Sequence, residues 1–266
     1  EGGMETGARA QELFSLAGET ALVTGASSGF GARFARTLAA NGARVVLVAR
    51  RRARLERLAQ EIEAAGGHAL AVEANATDAE AMTAAFDAAE AAFGTVTILV
   101  ANAGTAAPAR ALDITPEQWR ETMALNLDAP LMAAQIAARR MIAEGRKGAI
   151  VMTASITSEI VERGVAAYAV SKAALAHLTR ALALELGPKG VRVNALAPGY
   201  VATELNGAYL GGPAGEAIAR RLPLRRLGAA EDLEGALLLL AAPRAGAWIT
   251  GTLLVADGGN LLVGGG

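Results

Sequence analysis

From Glu19 onward, short runs rich in β-branched residues alternate with longer stretches whose apolar positions recur every three to four residues, the signature of repeated βαβ units around a parallel sheet. Seven runs read as strands, at residues 20–24, 44–49, 68–73, 96–101, 149–153, 192–195 and 253–256. Helical patterns fill the intervals near 30–41, 52–65, 78–93, 116–144, 167–187 and 230–241. Thr115-Pro116-Glu117-Gln118 reads as a helix start, with Thr115 as N-cap, proline in the first turn and Gln118 closing a capping box. The expected fold is α/β, a single Rossmann-type domain with a doubly wound parallel sheet of seven strands and helices on both faces. Its span is residues 16–266, with 1–15 as an N-terminal tail in which Glu1-Gly2-Gly3 precedes Met4 as an added remnant. The segment at about 200–228 breaks the alternation with Gly207, Gly211-Gly212-Pro213 and Pro223; ligands in open α/β sheets bind beyond the carboxyl ends of strands, so it reads as a substrate lid rather than a disordered loop.

Composition narrows the function classes. A chain of 266 residues can bury a large core without disulfides. A net charge of -1 gives no electrostatic case for nucleic acid. Without cysteine there is no disulfide, thiolate zinc site or cysteine nucleophile, and His68 and His177 are too far apart in sequence to suggest a metal site. No apolar run reaches the roughly 18 to 20 residues that span a bilayer, and the start lacks a secretory signal pattern, so the expectation is a cytoplasmic protein with no membrane or nucleic-acid partner.

Two clusters carry candidate chemistry. Directly after the first strand, Gly25-Ala26-Ser27-Ser28-Gly29-Phe30-Gly31 runs into a helix. Glycines there let the backbone turn sharply and approach a pyrophosphate, whose charge meets free N–H groups and the helix dipole. The spacing Gly-x3-Gly-x-Gly departs from Gly-x-Gly-x-x-Gly. The second strand ends in Arg50-Arg51-Arg52 where an NAD site would offer a carboxylate to the ribose 2′-hydroxyl. Arg50, with Arg51 as a second candidate, suits a 2′-phosphate through charge-assisted bidentate bonds, so NADP(H) is expected over NAD(H).

The second cluster is Tyr168-Ala-Val-Ser-Lys172, which puts a phenol and an ammonium on neighbouring positions of a helix. Working as a proton shuttle near pH 7 requires lowering a phenol from near ~10 by roughly 3 units, about 4 kcal/mol. One positive charge ~5 Å away at an effective dielectric of ~20 supplies about 3 kcal/mol. An oxidised nicotinamide is a second cation that makes up the difference, so the pair makes sense as an acid/base device beside that cofactor.

Together these residues resemble the short-chain dehydrogenase/reductase family, in its 3-oxoacyl-ACP-reductase-like or glucose-dehydrogenase-like branch, from about residue 16 to 259. The likeness includes the loop from Thr24 to Gly31, Asn102-Ala103-Gly104, Asn126 in Leu125-Asn126-Leu127, Ser155, Tyr168, Lys172, Pro198-Gly199 with Thr203, Ile249-Thr250-Gly251 and Asp257-Gly258-Gly259. The resemblance implies catalytic roles for Asn126 (holding a relay water), Ser155 (bonding the substrate oxygen), Tyr168 (exchanging the proton) and Lys172 (lowering the phenol pKa and holding the nicotinamide ribose). It implies a dinucleotide held by Gly25, Ser27, Ser28, Phe30, Gly31, Arg50, Asn75, Ala76, Asn102, Ala103, Gly104, Tyr168, Lys172, Pro198, Gly199, Val201 and Thr203. Asn75 stands where the family usually has an aspartate, Ala101 where an Asn is common and Ala154 where a Ser is frequent.

The expected activity is NADP(H)-dependent interconversion of a secondary alcohol and a ketone, or reduction of a 3-oxoacyl thioester. A nucleotide-binding sensor without chemistry, and an epimerase or dehydratase with tightly held NAD, are the alternatives. Ala106, Ile156, Glu159, Val161, Tyr200, Leu205 and Tyr209 are candidate pocket residues. A homo-oligomer, dimer or tetramer, is expected through the helices at 116–144 and 167–187, with Ala133-Ala134 and Ala173-Ala174 allowing close approach, and through the apolar Leu261-Leu262-Val263.

Overall fold

Aliphatic side chains on successive strand residues point to opposite faces, so a run apolar at every position demands cover on both sides. In the computed structural model, residues 7–204 and 207–263 are described, the side chains of Ala208 and Tyr209 excepted. Seven parallel strands meet that demand: β1 (Thr20–Thr24), β2 (Arg44–Ala49), β3 (His68–Glu73), β4 (Ile98–Ala101), β5 (Gly148–Thr153), β6 (Val191–Pro198) and β7 (Leu253–Ala256). Their order is β3-β2-β1-β4-β5-β6-β7. The helices are α1 (Ala10–Leu13), α2 (Gly29–Ala40), α3 (Arg52–Ala64), α4 (Ala79–Phe93), α5 (Pro116–Met123), α6 (Ala129–Ala143), α7 (Ala166–Leu186), α8 (Gly207–Leu210), α9 (Pro213–Arg221), α10 (Glu234–Ala241) and α11 (Asn260–Val263).

Ala21 and Val23 of β1 pack with Phe34, Leu38, Leu55 and Leu237 of α2, α3 and α10. Leu22 between them packs with Phe86, Ala137, Met141 and Leu175 of α4, α6 and α7. At roughly 1.5–3 kcal/mol for each fully buried aliphatic side chain, this two-sided burial is the main force holding the layers. The helix ends are set locally: Asp78 caps α4 by accepting from Glu80 N and Ala81 N, each at 3.0 Å. Thr115, Pro116 and Gln118 form the expected capping box on α5.

Several boundaries differ from the sequence reading. β4 starts at Ile98 rather than 96, and β6 continues three residues past 195 because Leu196, Ala197 and Pro198 pair with Leu254, Val255 and Ala256. The helix read at 116–144 is broken by a π-helical turn, Ala124–Asp128, between α5 and α6. Pro130 has no N–H to offer the Asn126 carbonyl four residues earlier, so a regular α-helix cannot run through this point. The helix near 230–241 opens with a 3-10 turn, Ala230–Leu233. Ala133 and Ala134 are buried in the core rather than on an outer face, while Ala173 is exposed. The 200–228 segment carries α8 and α9, and Val201 bridges Gly228 to close it at its base.

β7 is anchored by polar side chains of β6. Arg192 donates to the carbonyls of Leu240 (2.9 Å), Ala241 (3.4 Å), Ala242 (3.2 Å) and Ile249 (3.2 Å), placing a cation at the carboxyl end of α10. Fully buried Asn194 donates to Ile249 O (2.9 Å) and accepts from Thr252 N (3.1 Å). Thr250 Oγ1 accepts from Val193 N, which accounts for the Ile249-Thr250-Gly251 motif as an anchor for the last strand. Arg192→Ala is expected to lower stability by about 2 kcal/mol, with Arg192→Lys restoring only part of it; urea midpoints unchanged in both variants would show that this clamp does not hold β7.

Candidate active site

Every residue of the two clusters lies at or beyond the carboxyl edge of the sheet, where β1 and β4 are neighbours while their connections leave to opposite faces. Thr24 at the end of β1 fixes the turn after β4: its Oγ1 accepts from Asn102 N and Ala103 N, both at 3.0 Å, and Asn102 Nδ2 donates to Thr24 O at 3.0 Å. This draws Ala103 so close to Gly25, whose φ is +69°, that a Cβ on Gly25 would stand 2.9 Å from Ala103 Cα. A Cβ on Gly31 would collide with the Gly25 carbonyl. Both glycines are therefore required for the loop to close over the start of α2.

That start is chemically open. Ser28 occupies the N-cap position without a side-chain cap, leaving the first-turn N–H groups of α2 free of such a partner. Arg51 reaches back from the end of β2, donating to Ser27 Oγ (2.8 and 3.0 Å) and Ser28 Oγ (2.6 Å), while Arg50 is exposed beside it. The residues that follow β2 and open α3, Arg50, Arg51 and Arg52, are arginines, with no carboxylate among them. Free amides, two serine hydroxyls and two guanidinium groups fit a pyrophosphate and a 2′-phosphate of a dinucleotide. Asn75 is exposed, its Oδ1 accepting from Thr77 N at 3.3 Å, with partly buried Ala76 next to it. Thr203 lies against the same loop, 3.9 Å from where a Cβ of Gly29 would be. Gly199 packs tightly on Asp257, whose carboxylate accepts from Gly259 N and Leu261 N at 2.8 Å each, so Pro198-Gly199 and Asp257-Gly258-Gly259 form one packed corner.

The acid/base cluster assembles on α7 and the end of β5. Lys172 is buried, and its Nζ donates to Thr153 O at 2.6 Å and lies 5.7 Å from the centre of the Tyr168 ring. Ser155 caps the turn Ile156–Ser158, its Oγ accepting from Thr157 N at 3.1 Å, and Ser158 Oγ donates to Lys172 O at 2.9 Å. Asn126 is fully buried in the π turn. Its Nδ2 donates to Thr105 O (2.8 Å) and Ser171 Oγ (3.0 Å), and its Oδ1 accepts from Thr105 N (2.8 Å). The amide hydrogens are thus committed to holding the 104–105 turn against α7. A Cβ on Gly104 would stand 3.2 Å from Asn126 Oδ1 and 3.6 Å from Lys172 Nζ.

The electrostatics depart from the sequence argument. Burial raises the Tyr168 phenol; hydrogen bonding with Ser155 pulls it down, and the negative charge of Glu162 pushes it up further. The ammonium is not among the main influences on the phenol. Burial also lowers Lys172, to about 8.

Among the candidate pocket residues, Ile156 is buried, Ala106 and Tyr200 are partly buried, and Val161 is 83% exposed, at the rim rather than in a lining. Glu159 is exposed and faces Arg180 at 3.8 Å. Leu205 and the side chain of Tyr209 lie outside the described residues. Sequence reading overlooked Glu162, which accepts from Tyr200 Oη at 2.6 Å, and Arg54, which pairs with Glu204 at 2.8 Å. Nothing local signals either contact, since each joins segments far apart in the chain.

Residues 25–260 match a family model described as enoyl-(acyl carrier protein) reductase. The chain is 45% identical to galactitol 2-dehydrogenase (L-tagatose-forming) of Cereibacter sphaeroides over 93% of its own length and 96% of that protein's. It is 37% identical to gluconate 5-dehydrogenase of Gluconobacter oxydans, over 93% and 96%. The crystal structure of a gluconate 5-dehydrogenase from Burkholderia cenocepacia in complex with NADP and tartrate superposes with a TM-score of 0.89 at 35% identity, covering 94% of this chain and 98% of that one.

The depressed Lys172 pKa carries a sign. Between about 8 and 10.5 the unfolded chain keeps a proton that the folded chain has released, so the contribution of this group to stability rises with pH across that window. The wild type is expected to gain up to about 3 kcal/mol relative to Lys172→Met on going from pH 7 to 10.5; a stability difference that stays constant over that range in urea titrations would contradict the burial of a charged ammonium.

Proposed function

The chain belongs to the short-chain dehydrogenase/reductase family, oxidoreductases that act on hydroxyl groups, and on that footing we propose that it interconverts a secondary alcohol and a ketone with NADP(H), using Tyr168 as the acid/base. The observation that carries this reading is the convergence of Ser155, Tyr168 and a buried Lys172 on the carboxyl edge of the sheet, beside an uncapped helix start flanked by arginines. When bound, the dinucleotide supplies the hydride acceptor or donor and, oxidised, a positive charge. In the oxidative direction Tyr168 as phenolate takes the alcohol proton while the carbinol C–H leaves as hydride; in the reductive direction the phenol returns that proton to the ketone oxygen. Ser155 donates a hydrogen bond to the same oxygen and steadies its developing charge. Lys172 holds positive charge by the phenol and a donor towards the ribose. Asn126 holds the relay water through its main-chain carbonyl, which Pro130 leaves without an α-helical donor, its side-chain amide being committed elsewhere.

Burial raises the phenol, so alcohol oxidation, which uses the phenolate, benefits from alkaline conditions. Arg50 and Arg51 with Ser27 and Ser28 support NADP(H) over NAD(H). A 2-dehydrogenase and a 5-dehydrogenase among the relatives support a secondary-alcohol substrate over a 3-oxoacyl thioester. We also propose that residues 200–228 act as the substrate lid, and that the chain forms a dimer or tetramer: Val170 and Leu184 on α7 and Leu262 near the C-terminus are exposed apolar residues that a second copy would cover.

Tyr168→Phe is expected to reduce kcat at least a thousandfold while coenzyme affinity stays within a few-fold; turnover persisting within tenfold would refute the acid/base assignment. Comparison of kcat/KM for the two coenzymes is expected to favour NADP by tenfold or more and Arg50→Ala or Arg51→Ala to erode that ratio, whereas a tenfold preference for NAD overturns the assignment.

A further inference from the structure

Beside the phenol stands a carboxylate that the proton-transfer chemistry does not use. Glu162 lies in the connection between Ser155 and α7, six residues before Tyr168, and is partly buried. The connection is held in place: Ala109 N donates to Gly164 O at 2.9 Å and Ala109 bridges Val165, so it packs along the chain leaving β4. Tyr200, just past Pro198-Gly199 in the chain that follows β6, donates its hydroxyl to Glu162 Oε1 at 2.6 Å. One oxygen is therefore fixed by the stem of the 200–228 segment; among the described residues that is the one hydrogen bond this carboxylate makes. Its negative charge also acts on the Tyr168 phenol, in keeping with a place beside the proposed site.

A carboxylate presents only acceptors, so its complement is a donor. A plain aliphatic or acyl ketone brings none, and would strip water from the charge without replacing it. A sugar acid would bring a second negative charge. A hydroxyl on the carbon next to the reacting one supplies the O–H that such a carboxylate accepts. Resting on the function proposed above, we infer that Glu162, oriented by Tyr200, is a specificity-determining residue that selects a neutral polyol, binding the hydroxyl adjacent to the one oxidised.

Arg110 and Arg163, both exposed on these two packed connections, are the groups that would favour a sugar acid instead, and the test separates the two. Wild type, Glu162→Gln and Tyr200→Phe are compared for NADP- and NAD-linked oxidation of a four- to six-carbon neutral polyol, the corresponding sugar acid and a single-hydroxyl cyclic alcohol. The wild type is expected to prefer the polyol, and the ratio of kcat/KM for polyol over single-hydroxyl alcohol is expected to fall at least tenfold in Glu162→Gln, mainly through KM. Tyr200→Phe, which keeps the carboxylate but removes its tether, is expected to lower the same ratio several-fold, so the inference stays testable if the first variant does not fold. A ratio unchanged within twofold in the folded variants, or a wild-type preference for the sugar acid, overturns the role of Glu162 while leaving alcohol oxidation intact. Turnover of no alcohol in any arm, with either coenzyme, overturns the proposed function together with it.

Discussion

The Lys172 ammonium is buried with the Thr153 carbonyl, 2.6 Å away, as its hydrogen-bond partner among the described residues. A cation in that setting is tolerated only where its surroundings are rigid, because an unpaired buried charge is costly and any slack would let it escape to water. The rigidity comes from around it. β5 delivers Thr153 from the buried centre of the sheet, Ser158 ties the following turn to the Lys172 backbone, and Asn126 pins the 104–105 turn to Ser171 on α7. A side chain on Gly104 would press on Asn126 Oδ1 at 3.2 Å while meeting the ammonium only in ordinary contact at 3.6 Å, so the glycine leaves the Asn126 amide its place.

Much of this was readable from the chain. Strands β1, β2, β3 and β7 fall where the apolar runs place them, because burial on one or both faces writes itself into composition. The capping box at Thr115 was equally legible, being a local bargain between neighbouring residues. The π turn was not, although its cause, Pro130, is in plain sight: a helical period continues through a one-residue slip without an obvious break. The extension of β6 depended on which strand would pair with it, a fact of topology rather than of the run itself.

At the site, residue types were legible and their electrical surroundings were not. Tyr168 and Lys172 are neighbours on α7 as spacing implied, yet the phenol is shifted upward by burial and by Glu162, six residues earlier in the chain. Arg50 was the expected phosphate ligand, whereas Arg51 is the one that reaches the serines of the loop. Burial of the phenol and the meeting of Arg51 with Ser27 and Ser28 are products of the fold, and local pattern carries no trace of them.

One exposed ion pair ties two distant parts of the chain. Arg54 on α3 meets Glu204 at the foot of the 200–228 segment and holds its carboxyl below its ordinary range. Exposed pairs of this sort contribute well under 1 kcal/mol and are screened by dissolved ions. This tie between α3 and the 200–228 segment therefore depends on the ionic strength of the medium more than on the fold: it grips in dilute buffer and slackens in brine.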